Sequence, residues 1–338
     1  MAADSCQILR SVSEVREWTR KHHSEGKTVG FVPTMGGIHQ GHLSLVTELQ
    51  KRKIDTVIAS IYVNPTQFNQ SEDFDTYQRT LDADVAALAS VGCAAVFCPE
   101  RLYSSGDGDG AADGAADDAA NVAGADGEHR TPPGGHETWV TVTRLGSGLC
   151  ARSRPQFFRG VATVVLKLIN IVQPDVIALG QKDFQQLRVV QRMVRDLDVP
   201  VEVYPCPTVR EADGLAMSSR NAKLTPDVRQ QALTIYKQLA WAMGAVNSGE
   251  VTDAEMIRTT IREAITAAGG VVDYVEVVSP GDLEPVSEVG KVLTVVLVAA
   301  TFGGVRLIDN QMLLPREEGA APAVGEAEEG QDAWCSLM

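Results

Sequence analysis

The chain has 338 residues, with 30 Lys and Arg side chains against 44 Asp and Glu, and a formal net charge of −14. Most of this charge lies in two low-complexity segments: residues 104–136 carry −6, residues 316–338 carry −5, and the rest carries only −3. A nucleic-acid-binding protein needs a basic surface that displaces counterions from phosphates, and the sequence indicates none. We therefore expect no nucleic acid partner.

The sequence also lacks the features of a membrane or secreted protein. Its longest apolar run, residues 292–300, is half the ~18 residues that a membrane span requires. The first residues match neither a signal peptide nor an Arg-rich transit peptide. The six cysteines are dispersed without a CxxC pair, so we expect reduced thiols, with Cys93 and Cys98 in a strand core. These features favour a cytoplasmic protein without stable membrane association.

The first two hundred residues alternate between two patterns. Amphipathic stretches predict helices, and the first of these begins with a capping box, Ser11 to Glu14. Short continuous runs of Val and Ile predict strands buried on both faces, as in a parallel sheet. The predicted strands are residues 28–33, 56–63, 94–99, 175–180 and 201–204, and the predicted helices are 11–21, 41–53, 80–91, 160–172 and 184–196. This alternation predicts a doubly wound, Rossmann-like α/β domain.

The remaining segments complete the expected domain organisation. Residues 104–136 are rich in Gly, Ala and Asp and predict a disordered surface insertion, because they cannot bury enough apolar surface to order themselves. Helices at 226–245 and 253–267 and strands at 271–278 and 292–301 predict a smaller α+β domain. We therefore expect a first domain at 1–207, a C-terminal domain at 208–315 and a disordered acidic tail at 316–338.

The first segment that suggests chemistry is residues 32–42, VPTMGGIHQGH, which directly follows the first predicted strand. Its glycines permit a close backbone approach, and a helix that starts near His42 directs free N–H groups and its dipole toward a ligand. His39 and His42 can both donate to a phosphate there. A turn with two exposed histidines is the alternative, but the carboxyl edge of an open α/β sheet favours a binding site.

Two further segments also follow strands. Residues 64–68, NPTQF, offer amides that suit a hydroxy-carboxylate, although a β-turn explains Asn-Pro equally well. Residues 180–186, GQKDFQQ, place Lys182 at a helix N-terminus, where a cation opposes the helix dipole. An anionic ligand explains Lys182 better than stability does.

The last two segments are less specific. Residues 217–220, MSSR, can close two hydroxyls and a guanidinium over a polyphosphate, whereas a helix-capping serine with a surface Arg is the simpler alternative. Arg152, Arg154 and Arg159 form the densest basic cluster. This cluster is compatible with an anion pocket or with a solvated loop.

Taken in order, these motifs resemble a known enzyme family. PTMGGIHQGHLSLV, YVNPTQF, RPQFFRGVATVV, GQKDFQQL and DGLAMSSRN are together similar to the pantothenate synthetase (pantoate–β-alanine ligase) family, within the HxGH nucleotidylyl-transferase superfamily. The resemblance spans residues 8–315 apart from the insertion, and its RSRPQFFRG and READGLAMSSRN segments look like the plant-type members. It implies that ATP and pantoate form pantoyl adenylate and pyrophosphate, after which β-alanine displaces AMP.

The resemblance also implies site residues and partners. It gives catalytic roles to His42, His39 and Lys182. The implied ATP-binding residues are Met35, Gly36, Gly37, Ile38, His39, His42, Gly180, Lys182, Asp183, Val209, Met217, Ser218, Ser219 and Arg220. The implied pantoate and β-alanine residues are Gln67, Gln186, Asn64 and Arg154. Mg²⁺ is implied by the triphosphate, without an identified protein ligand, and a homodimer is expected.

Some features depart from the family pattern or leave alternatives. Gln181 replaces a Glu usual in bacterial members, and Phe157 replaces a His, so no catalytic role is carried over to either position. The last four residues, 335–338, match a C-a-a-X prenylation motif, but the acidic tail lacks the basic second signal that stable anchoring needs. The competing hypotheses are another adenylate-forming or nucleotidylyl-transferring enzyme of the same fold, and a non-catalytic binding protein.

Overall fold

A computed structural model describes residues 6–68, 80–103 and 135–315. The predictions of disorder at 104–136 and 316–338 lie outside these residues, apart from Gly135 and His136, and so does the prenylation motif. The chain divides into two compact units. The first comprises Met1–Ile38, His42–Leu179 and Val189–Tyr204, and the second comprises His39–Gly41, Gly180–Arg188 and Pro205–Met338.

The first unit is built on a parallel sheet. Its strands are β1 (Gln7–Leu9), β2 (Val29–Thr34), β3 (Thr56–Ile61), β4 (Ala95–Phe97), β5 (Val176–Gly180) and β6 (Glu202–Cys206). Within the described residues the sheet has six strands in the order β1-β4-β3-β2-β5-β6. The registers of β1 with β4, β4 with β3, β3 with β2 and β2 with β5 are all parallel. The predicted doubly wound sheet is therefore confirmed.

The helices between these strands follow the predicted pattern closely. They are α1 (Val12–Ser24), α2 (Gln40–Lys51), α3 (Leu81–Ser90), α4 (Cys150–Ser153), α5 (Phe157–Val172) and α6 (Phe184–Asp196). The capping box is confirmed, because Ser11 Oγ accepts from the Glu14 N–H (3.2 Å) and Glu14 Oε2 accepts from the Ser11 N–H (2.8 Å). The second helix begins at Gln40, one residue before the start of the predicted 41–53 helix.

The second unit contains an antiparallel sheet packed on helices. Its elements are α7 (Pro226–Ala232), α8 (Thr234–Ser248), α9 (Ala254–Ala267), β7 (Val271–Val278), β8 (Thr294–Phe302) and β9 (Val305–Leu313). The three strands lie in the order β7-β8-β9, and their inner faces form one apolar core with the helices. Gly303 and Gly304 both have positive φ, as a tight two-residue hairpin between β8 and β9 requires.

Several details differ from the sequence predictions. Strand β1 and strand β9 were not predicted, and the single helix expected at 226–245 is divided at Leu233. Cys93 and Cys98 are buried beside β4, as predicted. None of the five cysteines in the described residues forms a disulfide. No helix in the described ranges combines the length and the hydrophobicity that crossing a bilayer requires.

Candidate active site

The glycine-rich loop after β2 is anchored inside the first unit. Gly36 and Gly37 both adopt positive φ (88° and 64°), which turns the chain sharply as it leaves the strand. The N–H groups of Gly37 and Ile38 donate to the buried carboxylate of Asp84 on α3. The glycines do create a close backbone approach, but its partner is an internal carboxylate.

The turn after β3 is also held from within the first unit. Asn64 is buried, and its Nδ2 donates to the Gly160 carbonyl oxygen (3.3 Å) while its Oδ1 accepts from Thr66 Oγ1 (3.0 Å). A Cβ atom on Gly160 would lie 2.5 Å from Thr66 Oγ1, so only glycine permits this approach of α5. The amide of Asn64 therefore shapes the 3₁₀ turn Pro65–Gln67, on which Gln67 is half-buried.

The basic cluster does not share one environment. Arg152 is exposed at the end of α4. The Arg154 guanidinium lies 5.1 Å from the Phe157 ring centroid, and that of Arg159 lies 4.6 Å from the ring of Trp139. Each of these two contacts is a cation–π arrangement. An anion pocket at this cluster stays a prediction.

In the second unit, His39 is held in a defined protonation state. Burial lowers the pKa of His39, and the Lys182 charge lowers it further, while Asp183 and Glu211 oppose the shift. The ring is therefore neutral at pH 7. Its Nδ1 accepts from the Gly41 N–H (3.1 Å), so the remaining proton is on Nε2, which is a hydrogen-bond donor.

Lys182 lies on the 3₁₀ turn Gln181–Asp183, directly after Gly180 at the end of β5. Its side chain is 19% exposed, and its Nζ lies 3.9 Å from Asp183 Oδ2. Asn310 on β9 donates from Nδ2 to the carbonyl oxygens of Gln181 (2.9 Å) and Lys182 (3.0 Å). This turn is thus fixed by its backbone, which orients a mostly buried cation close enough to His39 to lower the pKa of that imidazole.

Residues 209–217 form a tight hairpin in the second unit. The Met217 N–H donates to the Val209 carbonyl (2.9 Å), which brings together two predicted ATP-binding residues. Arg210 makes a bidentate pair with Asp309 on β9 at 2.7 and 3.1 Å. A Cβ atom on Gly41 would lie 3.6 Å from Met217 Cβ, so the hairpin also adjoins the His39–Gly41 segment.

The MSSR segment follows this hairpin. Ser218 Oγ accepts from the Arg220 N–H (3.3 Å) and caps the 3₁₀ helix Ser219–Lys223. The capping alternative raised from the sequence is thus realised for Ser218, and Arg220 is exposed. Asn221 Nδ2 donates to Glu211 (2.6 Å) and to the Ala216 carbonyl (3.0 Å), which ties the short helix to the hairpin.

The predicted site residues are distributed over both compact units. The first unit holds Met35, Gly36, Gly37, Ile38, His42, Asn64, Gln67 and Arg154, and the second unit holds His39, Gly180, Lys182, Asp183, Gln186, Val209, Met217, Ser218, Ser219 and Arg220. Gln186 is half-buried on the first turn of α6. Gln181, for which no catalytic role was predicted, is buried.

Comparison with known proteins decides the family. A family model described as pantoate-beta-alanine ligase matches residues 7–312. The chain belongs to this family. The pantoate–beta-alanine ligase of Oryza sativa subsp. japonica is 47% identical over 309 residues, covering 90% of this chain and 96% of the rice protein. The plant-type resemblance inferred from the motifs is consistent with this match.

Solved structures of pantoate–beta-alanine ligases share the fold. A pantothenate synthetase from Thermus thermophilus superposes with a TM-score of 0.74 at 38% identity, covering 91% of this chain and 100% of that one. A pantoate-beta-alanine ligase from Francisella tularensis, complexed with beta-gamma ATP and beta-alanine, gives 0.66 at 27% identity, covering 94% and 100%. These comparisons confirm the fold class and the family resemblance.

Four side chains that support the pantoate–beta-alanine ligase motifs were missed by sequence reasoning. They are Asp84, Arg210, Asp309 and Asn310. Asp84 reads as an ordinary acid in the first turn of a helix, and Arg210 as a surface residue. The polar run Asp309-Asn310-Gln311 between apolar residues of the strand was the one available signal, because polar side chains buried in a strand need specific partners.

Proposed function

We propose that this protein joins pantoate to β-alanine at the expense of ATP, which becomes AMP and pyrophosphate. The observation that carries the proposal is the cluster of His39, Lys182 and the 209–217 hairpin in a chain that belongs to the pantoate–beta-alanine ligase family. The Francisella tularensis relative is described in complex with ATP and beta-alanine, which supports both as substrates here.

In the first step a pantoate carboxylate oxygen attacks the α-phosphorus of ATP, and the bond to pyrophosphate breaks. Negative charge increases on the α-phosphate and on the leaving pyrophosphate, so donors already fixed in place stabilise the transition state. We assign this role to Lys182, to the Nε2–H of His39 and to His42. Because the His39 imidazole is neutral, its Nε2–H can donate a hydrogen bond to a phosphate oxygen without adding a positive charge to the site.

In the second step the β-alanine amine attacks the acyl carbon of pantoyl adenylate, and AMP leaves with the electron pair of the broken C–O bond. The amine loses a proton as the amide forms. This step depends mainly on orientation, because the adenylate already contains a good leaving group. We assign pantoate and β-alanine to Gln67, Gln186 and Arg154, with Asn64 shaping the turn that carries Gln67.

The proposed ATP contacts combine side chains and backbone. They comprise Met35, Gly36, Gly37, Ile38, His39, His42, Gly180, Lys182, Asp183, Val209, Met217, Ser218, Ser219 and Arg220. Because the N–H groups of Gly37 and Ile38 donate to Asp84, these two residues would contact ATP through carbonyl or apolar atoms. Mg²⁺ is proposed as a companion of the triphosphate. The described residues contain no group of three His, Cys, Asp or Glu side chains that could hold it.

Three further features are proposed. The family resemblance implies a homodimer, and the sequence suggests a cytoplasmic location and a division into a 1–207 domain and a 208–315 lid domain. Sedimentation of the purified chain at micromolar concentration tests the dimer, and a monomer there would contradict it. Fluorescent tagging in the source cells tests the location. Proteolytic cleavage near residue 208 tests the domain division; cleavage within 208–315, with none near residue 208, would count against it, whereas cleavage within 104–136 or 316–338 is expected in either case.

The chemistry is tested by substrate dependence. ATP–pyrophosphate exchange should require pantoate alone, whereas AMP release and pantothenate formation should also require β-alanine. Lys182→Ala should reduce the exchange rate by about 10²-fold, as expected for the loss of one transition-state donor. AMP release with an amino acid and tRNA, and none with pantoate and β-alanine, would support the rival adenylate-forming enzyme instead.

A further inference from the structure

Asp84 is a buried carboxylate that the proposed reaction does not use. It lies in the first turn of α3 and is 4% exposed. Its Oδ2 accepts from the Gly37 N–H (3.0 Å), and its Oδ1 accepts from the Ile38 N–H (2.8 Å) and from Thr80 Oγ1 (3.2 Å). None of the ion pairs between described residues involves Asp84. The hydrogen-bond donors around the Asp84 carboxylate are therefore backbone N–H groups and a hydroxyl group.

The loop is shaped to receive this carboxylate. Burial of a carboxylate is costly unless its oxygens are hydrogen-bonded, and its position at a helix N-terminus adds a favourable dipole interaction. The turn at Gly36 and Gly37, both with positive φ, directs the N–H groups of Gly37 and Ile38 to one carboxylate, and turns that present successive N–H groups in this way bind anions. A Cβ atom on Gly36 would lie 3.1 Å from Asp84 Oδ2, so the contact also explains why that residue is glycine.

We infer that Asp84 is the positioning residue of the 35–38 loop, occupying the anion-binding backbone that a phosphate would otherwise fill. The inference rests on the proposed function and deepens it, because it assigns recognition of the triphosphate to side chains rather than to these N–H groups. A negative charge near bound ATP repels it, so the benefit of Asp84 to catalysis is geometric: it fixes the segment that continues into His39.

The direct test is Asp84→Asn, which keeps the shape of the side chain but replaces one acceptor oxygen by a donor. One of the two N–H groups then faces an NH₂ group without a partner. The loss of one buried hydrogen bond should raise KM for ATP in pantoate-dependent pyrophosphate exchange by roughly tenfold. A role through charge alone gives the opposite sign, because the loss of a negative charge would lower KM for ATP.

Asp82→Asn is the matched control. Asp82 lies in the same helix turn and carries the same charge, but it is exposed. Its replacement should leave KM for ATP within about twofold of wild type. Thr80→Val provides a milder variant should Asp84→Asn not fold, because it removes only the hydroxyl donor and should raise KM in the same direction by a smaller factor.

Amide hydrogen exchange gives a readout that does not depend on activity. The backbone amides at 37 and 38 should exchange faster in Asp84→Asn than in wild type, and at the wild-type rate in Asp82→Asn. If the wild type forms no adenylate, the proposed function fails, but the amide hydrogen-exchange rates still decide whether Asp84 holds the loop. Amide hydrogen-exchange rates at 37 and 38 that are unchanged in Asp84→Asn, or a KM for ATP that is equal to or lower than that of the wild type, would overturn the inference.

Discussion

Asn310 offers the sharpest test of whether the backbone of the Gln181–Asp183 turn orients Lys182. Its amide is buried and donates to the carbonyl oxygens of Gln181 and Lys182 at 2.9 and 3.0 Å. Asn310→Ala removes both donors and leaves two carbonyl oxygens without these partners. At about 1 kcal/mol for each net hydrogen bond, the free energy of unfolding should fall by about 2 kcal/mol.

The effect on activity has an upper limit set by Lys182 itself. If Asn310 acts on the reaction only through the turn, Asn310→Ala cannot cost more than the ~10²-fold expected for Lys182→Ala. In the Lys182→Ala background it should therefore cost less than about twofold. Pantoate-dependent ATP–pyrophosphate exchange on the four proteins of this double-mutant cycle measures the coupling, and urea unfolding of each measures the stability.

Gln311→Ala is the matched control for this cycle. Gln311 is the next residue on β9, and its Nε2 donates to Met243 Sδ (3.3 Å) and to the Met312 carbonyl (3.1 Å) rather than to the turn. Gln311→Ala should therefore change the kinetics of ATP–pyrophosphate exchange little. Additive losses from Asn310→Ala and Lys182→Ala, or normal exchange in Asn310→Ala despite its lower stability, would refute the reasoning.

Two further predictions concern the same unit. Asp309→Ala should destabilise the protein by about 3 kcal/mol in urea unfolding, because Arg210, only 21% exposed, loses its bidentate partner. The control is Glu288→Ala, which removes an exposed pair with Lys291 and should destabilise the protein by less than about 1 kcal/mol. Equal destabilisation by the two substitutions would contradict the argument. The lowered pKa of His39 means that the unfolded chain binds its proton more readily, so stability is unaffected above about pH 6.5 and falls as the pH drops below it. His39→Gln should reduce this loss between pH 7 and 5, and an unchanged pH dependence would count against the assigned cause.

Most of the parallel sheet could be predicted because its strands are continuous apolar runs with helices between them. Strand β3 is an example, since five of its six residues are buried and nothing in the run favours a helix. Strand β1 could not be predicted, because three residues form a strand here only through pairing with β4, some ninety positions further along the chain. The division of the helix at Leu233 could not be predicted either, because no Gly or Pro lies near that residue.

The candidate site shows the same division between local and long-range information. The His39, Lys182 and Met217 segments could be found because each has a specific local pattern after a strand or in a polar loop. The residues that hold these segments are far away in sequence: Asp84 lies 46 and 47 positions from its loop partners, and Asn310 lies 128 and 129 positions from its own. No local pattern encodes a hydrogen bond across such a separation.

The chemical identity of each supporting residue follows from the backbone it contacts. The 35–38 loop presents N–H groups, and Asp84 supplies acceptor oxygens; the Gln181–Asp183 turn presents carbonyl oxygens, and Asn310 supplies donors. If Asp and Asn were swapped between positions 84 and 310, N–H would face N–H at one turn and oxygen would face oxygen at the other. A buried polar group without a partner is costly. Because these backbone groups are already satisfied, we propose that side chains such as Lys182 and His39, rather than these backbone groups, recognise an anionic substrate. The near-neutral charge outside the two acidic segments is compatible with that role.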